Sequence, residues 1–252
     1  MLITSSHDLN IVKQLQTDRP SFHLGGHARW DSLPQTLNAI RSAVKPGDVT
    51  IETGVGASTV VFTAGGSTHT AISPDPREHE LIREYCRSIG VDDSRLNFVV
   101  GLSEDVLPDV LTRERTLDVA FIDGAHSFPF PEVDWCYITR SLKVGGYLVV
   151  DDITIPSVAP LYRHMTLEAN WALDRVLDDR AAAFRLQALP LGEDWGNQKV
   201  NARYPDYQFA DLPKRVQLEL AHRVTKMSHA AARRNPALRR IYKRLTEKRA
   251  SG

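Results

Sequence analysis

The sequence predicts an α/β fold: a mostly parallel seven-stranded sheet with helices on both faces and a C-terminal antiparallel hairpin. Three observations predict it. Short apolar, β-rich runs alternate with helix-like segments five times in succession, which means repeated strand–helix–strand units and parallel pairing. Runs such as VAFI and YLVV are apolar at consecutive positions, as strands covered on both faces must be. Two further strand-like runs flank Asp178-Asp179-Arg180, a turn signature that closes a hairpin.

The elements follow in order. Residues 1–45 read as an N-terminal helical entry segment. Within it His7–Gln16 is weakly amphipathic, RPSFHLGGHARW is a loop with paired glycines, and Ser32–Val44 sets Leu33, Leu37, Ile40 and Val44 at helical spacing. Lys45-Pro46-Gly47-Asp48 ends that helix and turns the chain. Residues 46–190 carry the alternation. Strands are expected at Val49–Thr53, His69–Ser73, Leu96–Val100, Leu117–Ile122 and Tyr147–Val150. Helices are expected at Thr59–Ala64, Pro76–Ile89, Glu104–Leu111, Glu132–Leu142 and Ala159–Glu168. Gly90 stops the second of these, and Lys143-Val144-Gly145-Gly146 reads as the C-cap and turn of the fourth. The hairpin strands are Trp171–Leu177 and Ala182–Leu189. Residues 191–212 connect this Rossmann-like body to a basic helical extension, 213–252.

Composition sets the class. Hydrophobic residues make up 42% of the chain and charged residues 25%, as in ordinary globular proteins. There is no run of 18 apolar residues and no basic-then-apolar leader, so neither a transmembrane helix nor a secretory signal is expected. Cys86 and Cys136 are the only cysteines, too few for a disulfide framework, and reduced thiols in a cytoplasmic protein are the expectation. The formal net charge of zero hides an asymmetry. Residues 213–252 carry 12 Lys and Arg against two acids, and the rest of the chain carries 19 against 29. The tail has three readings: a solvated helix packing Val216, Leu218, Leu220 and Val224 on the acidic body, a phosphate or nucleic-acid contact, or attachment to an anionic membrane surface. Few aromatics interleave the basic residues, which speaks against base stacking, and the break at Asn235-Pro236 favours the solvated helix or a homo-oligomer contact.

Two constellations carry chemistry. The first is VTIETGVGAST. Gly54 and Gly56 let the backbone turn tightly and approach a ligand, and the following helix offers free N–H groups that Ser58 and Thr59 can cap. Glu52 supplies an acceptor at the carboxyl edge of the first strand, where ligands bind in such sheets. The turn holds the adenosyl end of a cofactor in this reading; the plain alternative is a tight turn. It is not a P-loop, because no GK[ST] follows, and Ser58 stands where a dinucleotide fingerprint would place its next glycine.

The second is a set of aspartates. LDVAFIDGAH ends one strand at Asp123, and YLVVDD ends the next at Asp151 and Asp152. On adjacent parallel strands, about 4.8 Å apart, these carboxylates converge and repel unless protonated or met by a cation. Mg²⁺ would suit them and would acidify a bound hydroxyl. The open alternative is that Asp123 bonds a loop, Asp152 caps a helix and no metal binds. His126 can serve as a general base or can simply bond backbone. Trp135 and Cys136 read as core-facing residues of the following helix.

With these segments in view, the sequence resembles class I S-adenosylmethionine-dependent methyltransferases, nearest the catechol O-methyltransferase and macrocin O-methyltransferase-like branch. KPGDVTIETGVGAST, THTAISPDPREHELIREYC, NFVVGLSEDVLPDVL and LDVAFIDGAHS through LKVGGYLVVDD carry the likeness, over roughly Leu33 to Leu189. The resemblance implies methyl transfer, most naturally to an oxygen of a small molecule such as a sugar or secondary metabolite. It places Glu52, Gly54 and Gly56 along the methionine and ribose of the cofactor, with Ser103 and Glu104 bordering the adenine. It matches Asp123, Asp151 and Asp152 to the metal positions of the metal-using members, and Asp123 and His126 to the acceptor proton. One departure stands out: the family's acid at the end of the second strand is Ser73 here, with Asp75 two residues later. His23, His27 and Trp30 before the fold, and Trp195, Tyr204 and Tyr207 after it, could wall the acceptor or merely pack the extensions. Two other classes stay open. A nicotinamide-dependent oxidoreductase predicts a fuller GxGxxG and a Tyr-Lys pair, neither of which is found; a non-catalytic binding protein predicts a blocked or vacant acceptor pocket.

Overall fold

A computed structural model describes residues 10–23, 32–111, 114, 116–189, 198–202 and 207–234. They belong to two compact units, Met1–Gly192 and Glu193–Gly252.

The first unit is a seven-stranded sheet in the order β3-β2-β1-β4-β5-β7-β6. The strands are β1 (Val49–Thr53), β2 (Thr68–Ser73), β3 (Leu96–Val100), β4 (Leu117–Ile122), β5 (Leu142–Val150), β6 (Trp171–Leu177) and β7 (Ala181–Leu186). The first five pair in parallel; β7 runs antiparallel to both β5 and β6. The helices are α1 (Ile11–Asp18), α2 (Pro34–Ala43), α3 (Ala57–Ala64), α4 (Pro76–Ser88), α5 (Ser103–Val110), α6 (Phe130–Ser141) and α7 (Ala159–Leu167).

Alternate strand residues feed two cores, one on each face of the sheet, as the two-residue strand period demands. On one face Val119, Phe121 and Val149 pack with Ile40, Val60, Phe62 and Ile82. On the other Ile51, Ala120, Ile122, Leu148 and Val150 pack with Leu107, Ile138, Leu161 and Met165. The Cys86 thiol lies wholly in the first core, and burial pushes it up to about 11, so it is an inert thiol.

Several boundaries differ from expectation, three of them with bearing on the turns around the sheet. Lys143–Gly146 is not the C-cap of α6 but the first part of β5, which begins at Leu142 opposite Leu117. The register shifts between Leu117 and Val119, so the glycines accommodate an irregular strand start rather than a helix end. The helix after the glycine turn begins at Ala57 rather than Thr59, and β7 ends at Leu186 rather than Leu189.

The second unit contains a short 3-10 turn, Lys199–Ala202, and α8 (Leu212–Arg234). Val216, Leu220 and Val224 are exposed on α8. Among the described residues no helix is long and apolar enough to cross a membrane. His27, Trp30, Trp195 and Tyr204 lie outside the described residues, as does the tail from Asn235 onward.

Candidate active site

Strand order reverses at the β1–β4 junction, the position where ligands bind open α/β sheets. At its carboxyl edge lies a cavity of about 500 Å³. Each neighbouring strand ends there in a loop that contributes to the lining.

From β1 comes the glycine turn. The N–H of Gly54 bonds Ile72 O at 3.0 Å, and its φ is +84°. A Cβ at this position would meet the carbonyl oxygen of Asp123 at 2.2 Å, so only glycine lets the β1 and β4 loops close together. Gly54 and Val55 line the cavity. Glu52 does not: it is fully buried beneath the turn. Ser58 Oγ donates to its Oε2 at 2.7 Å, Thr59 Oγ1 donates to its Oε1, and His69 Nε2 lies 3.1 Å from Oε1. Thr59 Oγ1 also accepts the N–H of Gly56 at 3.0 Å. Ser58 and Thr59 therefore tie the helix start to β1 through Glu52. Thr59 completes the cap from inside the helix rather than from in front of it.

From β2 come Ser73 and Pro74, and from the first turn of α4 comes Glu78. Ser73 Oγ donates to Glu78 Oε2 at 2.8 Å, and His23 Nδ1 lies 3.0 Å from Glu78 Oε1. Asp75 is turned away: it caps α4 through the N–H of Arg77 and pairs with the Arg77 guanidinium at 2.7 Å. Asp75 lies outside the cavity lining. Glu78 is the residue that reading by strand ends passed over. Its position in the first turn of α4, three residues past the cap, was the signal that could have found it.

From β3 come Gly101, Leu102, Ser103 and Glu104, the last two opening α5. From β4 come Asp123, Gly124, Ala125 and His126. Burial pushes the Asp123 carboxyl up to about 7, against the pull of His126, while the Asp123 carboxyl beside it raises His126. His126 Nε2 sits 3.6 Å from Asp123 Oδ1 and 3.4 Å from Asp152 Oδ2, within electrostatic reach but too far for a hydrogen bond to either. Ser157 Oγ bonds the His126 carbonyl and holds the loop. Asp134 of α6 lies buried below the cavity, its carboxyl pushed up to about 6 by burial.

The three aspartates do not converge. Asp123 and Asp152 line the cavity; Asp151 is 2% exposed and does not. Arg180, from the turn between β6 and β7, lies across the pair at the end of β5. Its Nη2 donates to Asp151 Oδ2 at 2.9 Å, and its Nε lies 2.8 Å from Asp152 Oδ1 without an aligned N–H. Asp151 Oδ1 is taken by the N–H of Asp152. The carboxylates expected to hold a divalent ion are thus already neutralised from within the chain, and a metal does not fit them as they stand. Among the described residues no group of three or more His, Cys, Asp or Glu side chains is arranged to hold an ion.

A second cavity of about 450 Å³ adjoins Arg180 on its other side, lined among others by Leu15, Phe22, Leu33 and Leu37. Ser32 also lines it and reaches Asp123 Oδ2 at 3.4 Å, and Arg180 lines both cavities.

The comparisons agree with the fold. Residues 51–153 match the family model of a methyltransferase domain. Solved structures with the same fold include a Corynebacterium glutamicum protein (17% identity, 74% of this chain and 94% of that chain, TM-score 0.57). They also include the O-methyltransferase TomG of Streptomyces achromogenes, involved in tomaymycin synthesis and solved with S-adenosylmethionine (19% identity, 74% and 93%, TM-score 0.53). A third is a putative rRNA-methylase from Clostridium thermocellum (9% identity, 64% and 99%, TM-score 0.51). No curated protein matches the sequence. The methyltransferase domain matched by the family model runs from β1 to just past the end of β5, and the solved structures share its fold.

Proposed function

We propose that the protein transfers the methyl group of S-adenosylmethionine to a hydroxyl oxygen of a small molecule. The observation that carries this reading is the division of labour around the two cavities. The first has a glycine turn, a Ser73–Glu78 pair and a Ser103–Glu104 helix start on one side, and Asp123 with His126 on the other. Gly54 would let the methionine end pass close to the backbone. Ser73 and Glu78 would meet the ribose hydroxyls, in place of the missing strand-end acid. Ser103 and Glu104 would border the adenine.

The cofactor supplies an electrophilic methyl on a sulfonium. The chain's task is to align the acceptor oxygen with it and to take a proton. Asp123 and His126 line the first cavity, with Ser32 of the second reaching Asp123, and are the groups that would accept that proton, Asp123 with a basicity raised toward neutrality by burial. As the new O–C bond forms, the C–S pair returns to sulfur, leaving a methyl ether and S-adenosylhomocysteine. The second cavity, lined by Leu15, Phe22, Leu33 and Leu37 among others, offers apolar surface that favours a small-molecule acceptor. The matched domain speaks against a nicotinamide enzyme.

Isothermal calorimetry with S-adenosylhomocysteine tests the reading. Binding with a Kd of roughly 1–100 µM is expected of a cavity of this size. No heat at about 1 mM ligand, equivalent to less than about 4 kcal/mol of binding, would overturn it.

A further inference from the structure

We infer that Arg180 is the resident cation of the acceptor side: its guanidinium occupies the place, between the β5 carboxylates and the acceptor cavity, that a divalent ion would otherwise take. The inference rests on the methyltransferase reading and says how that reaction manages its charge.

Asp123 ends β4, and Asp151 and Asp152 end β5, its parallel neighbour, so the carboxyl groups at this edge need either protons or a cation although they do not meet at one point. Arg180 answers two of them directly, at 2.9 Å from Asp151 and 2.8 Å from Asp152. His126 stands between the remaining acid and Asp152. A guanidinium suits this place because it stays charged and spans two carboxylates with a planar fork, as an ammonium does not.

The backbone around Arg180 is built to hold it there. Asp178 and Asp179 both have positive φ, +51° and +53°, which makes the tight turn that joins β6 to β7. The Asp178 carboxylate accepts the N–H groups of Gln35 and Thr36 at 2.9 and 3.0 Å, capping α2, whose own Leu33 offers no side-chain cap. The carbonyl of Arg180 accepts the N–H of Ile153 at 2.9 Å, tying the turn to the loop that follows β5. One end of the turn is thus bolted to α2 and the other to the β5 loop. The Arg180 side chain, 28% exposed, borders both cavities. An acceptor oxygen passing from the apolar cavity toward Asp123 meets this cation on the way. Arg180 positions the carboxylates and offers a fixed positive charge to the oxygen as it loses its proton.

Titration of Mn²⁺, followed by electron paramagnetic resonance, tests this on the intact chain. The wild-type protein is expected to bind no Mn²⁺ below about 1 mM at this site, because the guanidinium already balances the carboxylates. Arg180→Ala, and separately Arg180→Gln, are expected to gain a Mn²⁺ site at least about tenfold tighter, one that Asp152→Asn removes again. Wild-type binding in the range of about 1–100 µM that Asp152→Asn abolishes would overturn the inference, whether or not the arginine variants fold. So would folded Arg180 variants that gain no Mn²⁺ affinity. S-adenosylhomocysteine binding, measured on the same wild-type sample, reports on the methyltransferase reading separately.

Discussion

Glu52 and Glu78 exchange the roles that the linear sequence suggests for them. Glu52 sits in the motif and looks like a ligand contact, yet Ser58, Thr59 and His69 surround its carboxylate below the turn. Glu78 belongs to no motif, yet it faces the cavity beside Ser73. The difference is one of three-dimensional reach. A strand-end acid can be read from its place in the run, whereas a first-turn helix acid enters the site only because the β2–α4 connection is short. The substitution Glu78→Gln keeps the shape and removes the charge. Since a hydrogen bond to a charged group is worth about 1.5–3 kcal/mol, it is expected to weaken S-adenosylhomocysteine binding about 10- to 100-fold by calorimetry. Unchanged affinity would move the ribose contact elsewhere. Asp75→Asn, tied to Arg77 outside the cavity, serves as the control that leaves the affinity as it was.

At the scale of elements, strands were the most legible features. β1, β3, β4 and β6 begin and end where the strand-like runs predict; β4, buried on both faces, announces itself as a nearly continuous apolar segment, whereas β6 is exposed along its middle. Less legible were features set by partners distant in sequence. The cap of α2 comes from Asp178, 142 residues away, and the glycines before Tyr147 serve an irregular strand pairing with β4. The glycine turn was legible as a turn, but its tightest constraint, the Asp123 carbonyl pressed against Gly54, belongs to the β4 loop. That constraint separates two glycines of similar backbone. Gly47 has φ +89° and open space around it; Gly54 has φ +84° and the carbonyl at 2.2 Å from a would-be Cβ. Gly47→Ala is expected to cost about 1 kcal/mol, the strain of left-handed backbone alone. Gly54→Ala adds a backbone clash and is expected to cost at least about 3 kcal/mol, lowering Tm by roughly 6 °C or more in thermal denaturation. Equal shifts for the two variants would show that the β4 loop yields, and the turn would lose its place as the close approach of the site.

For the whole molecule, the division into Met1–Gly192 and Glu193–Gly252 bears directly on function. Among the described residues, every one that lines either cavity, and every partner that holds Arg180 in place, belongs to the first unit. The second unit contributes charge: 14 Lys and Arg against six acids, so the first unit alone is net acidic. The charge asymmetry was plain in the sequence, while a division at Gly192 was not. Strand and helix patterns mark elements, but contact density marks units, and it falls off only where the chain leaves β7. Because the first unit has its own sheet and two filled cores, the chain ended at Gly192 is expected to fold independently. Its S-adenosylhomocysteine affinity should stay within about threefold of the full chain's, since no described lining residue is lost and the long-range field of exposed basic groups is screened beyond about 8 Å at physiological salt. Calorimetry on both forms at the same ionic strength decides it. A folded fragment that binds more than about tenfold more weakly, a difference of about 1.4 kcal/mol, would make residues 193–252 part of the cofactor site.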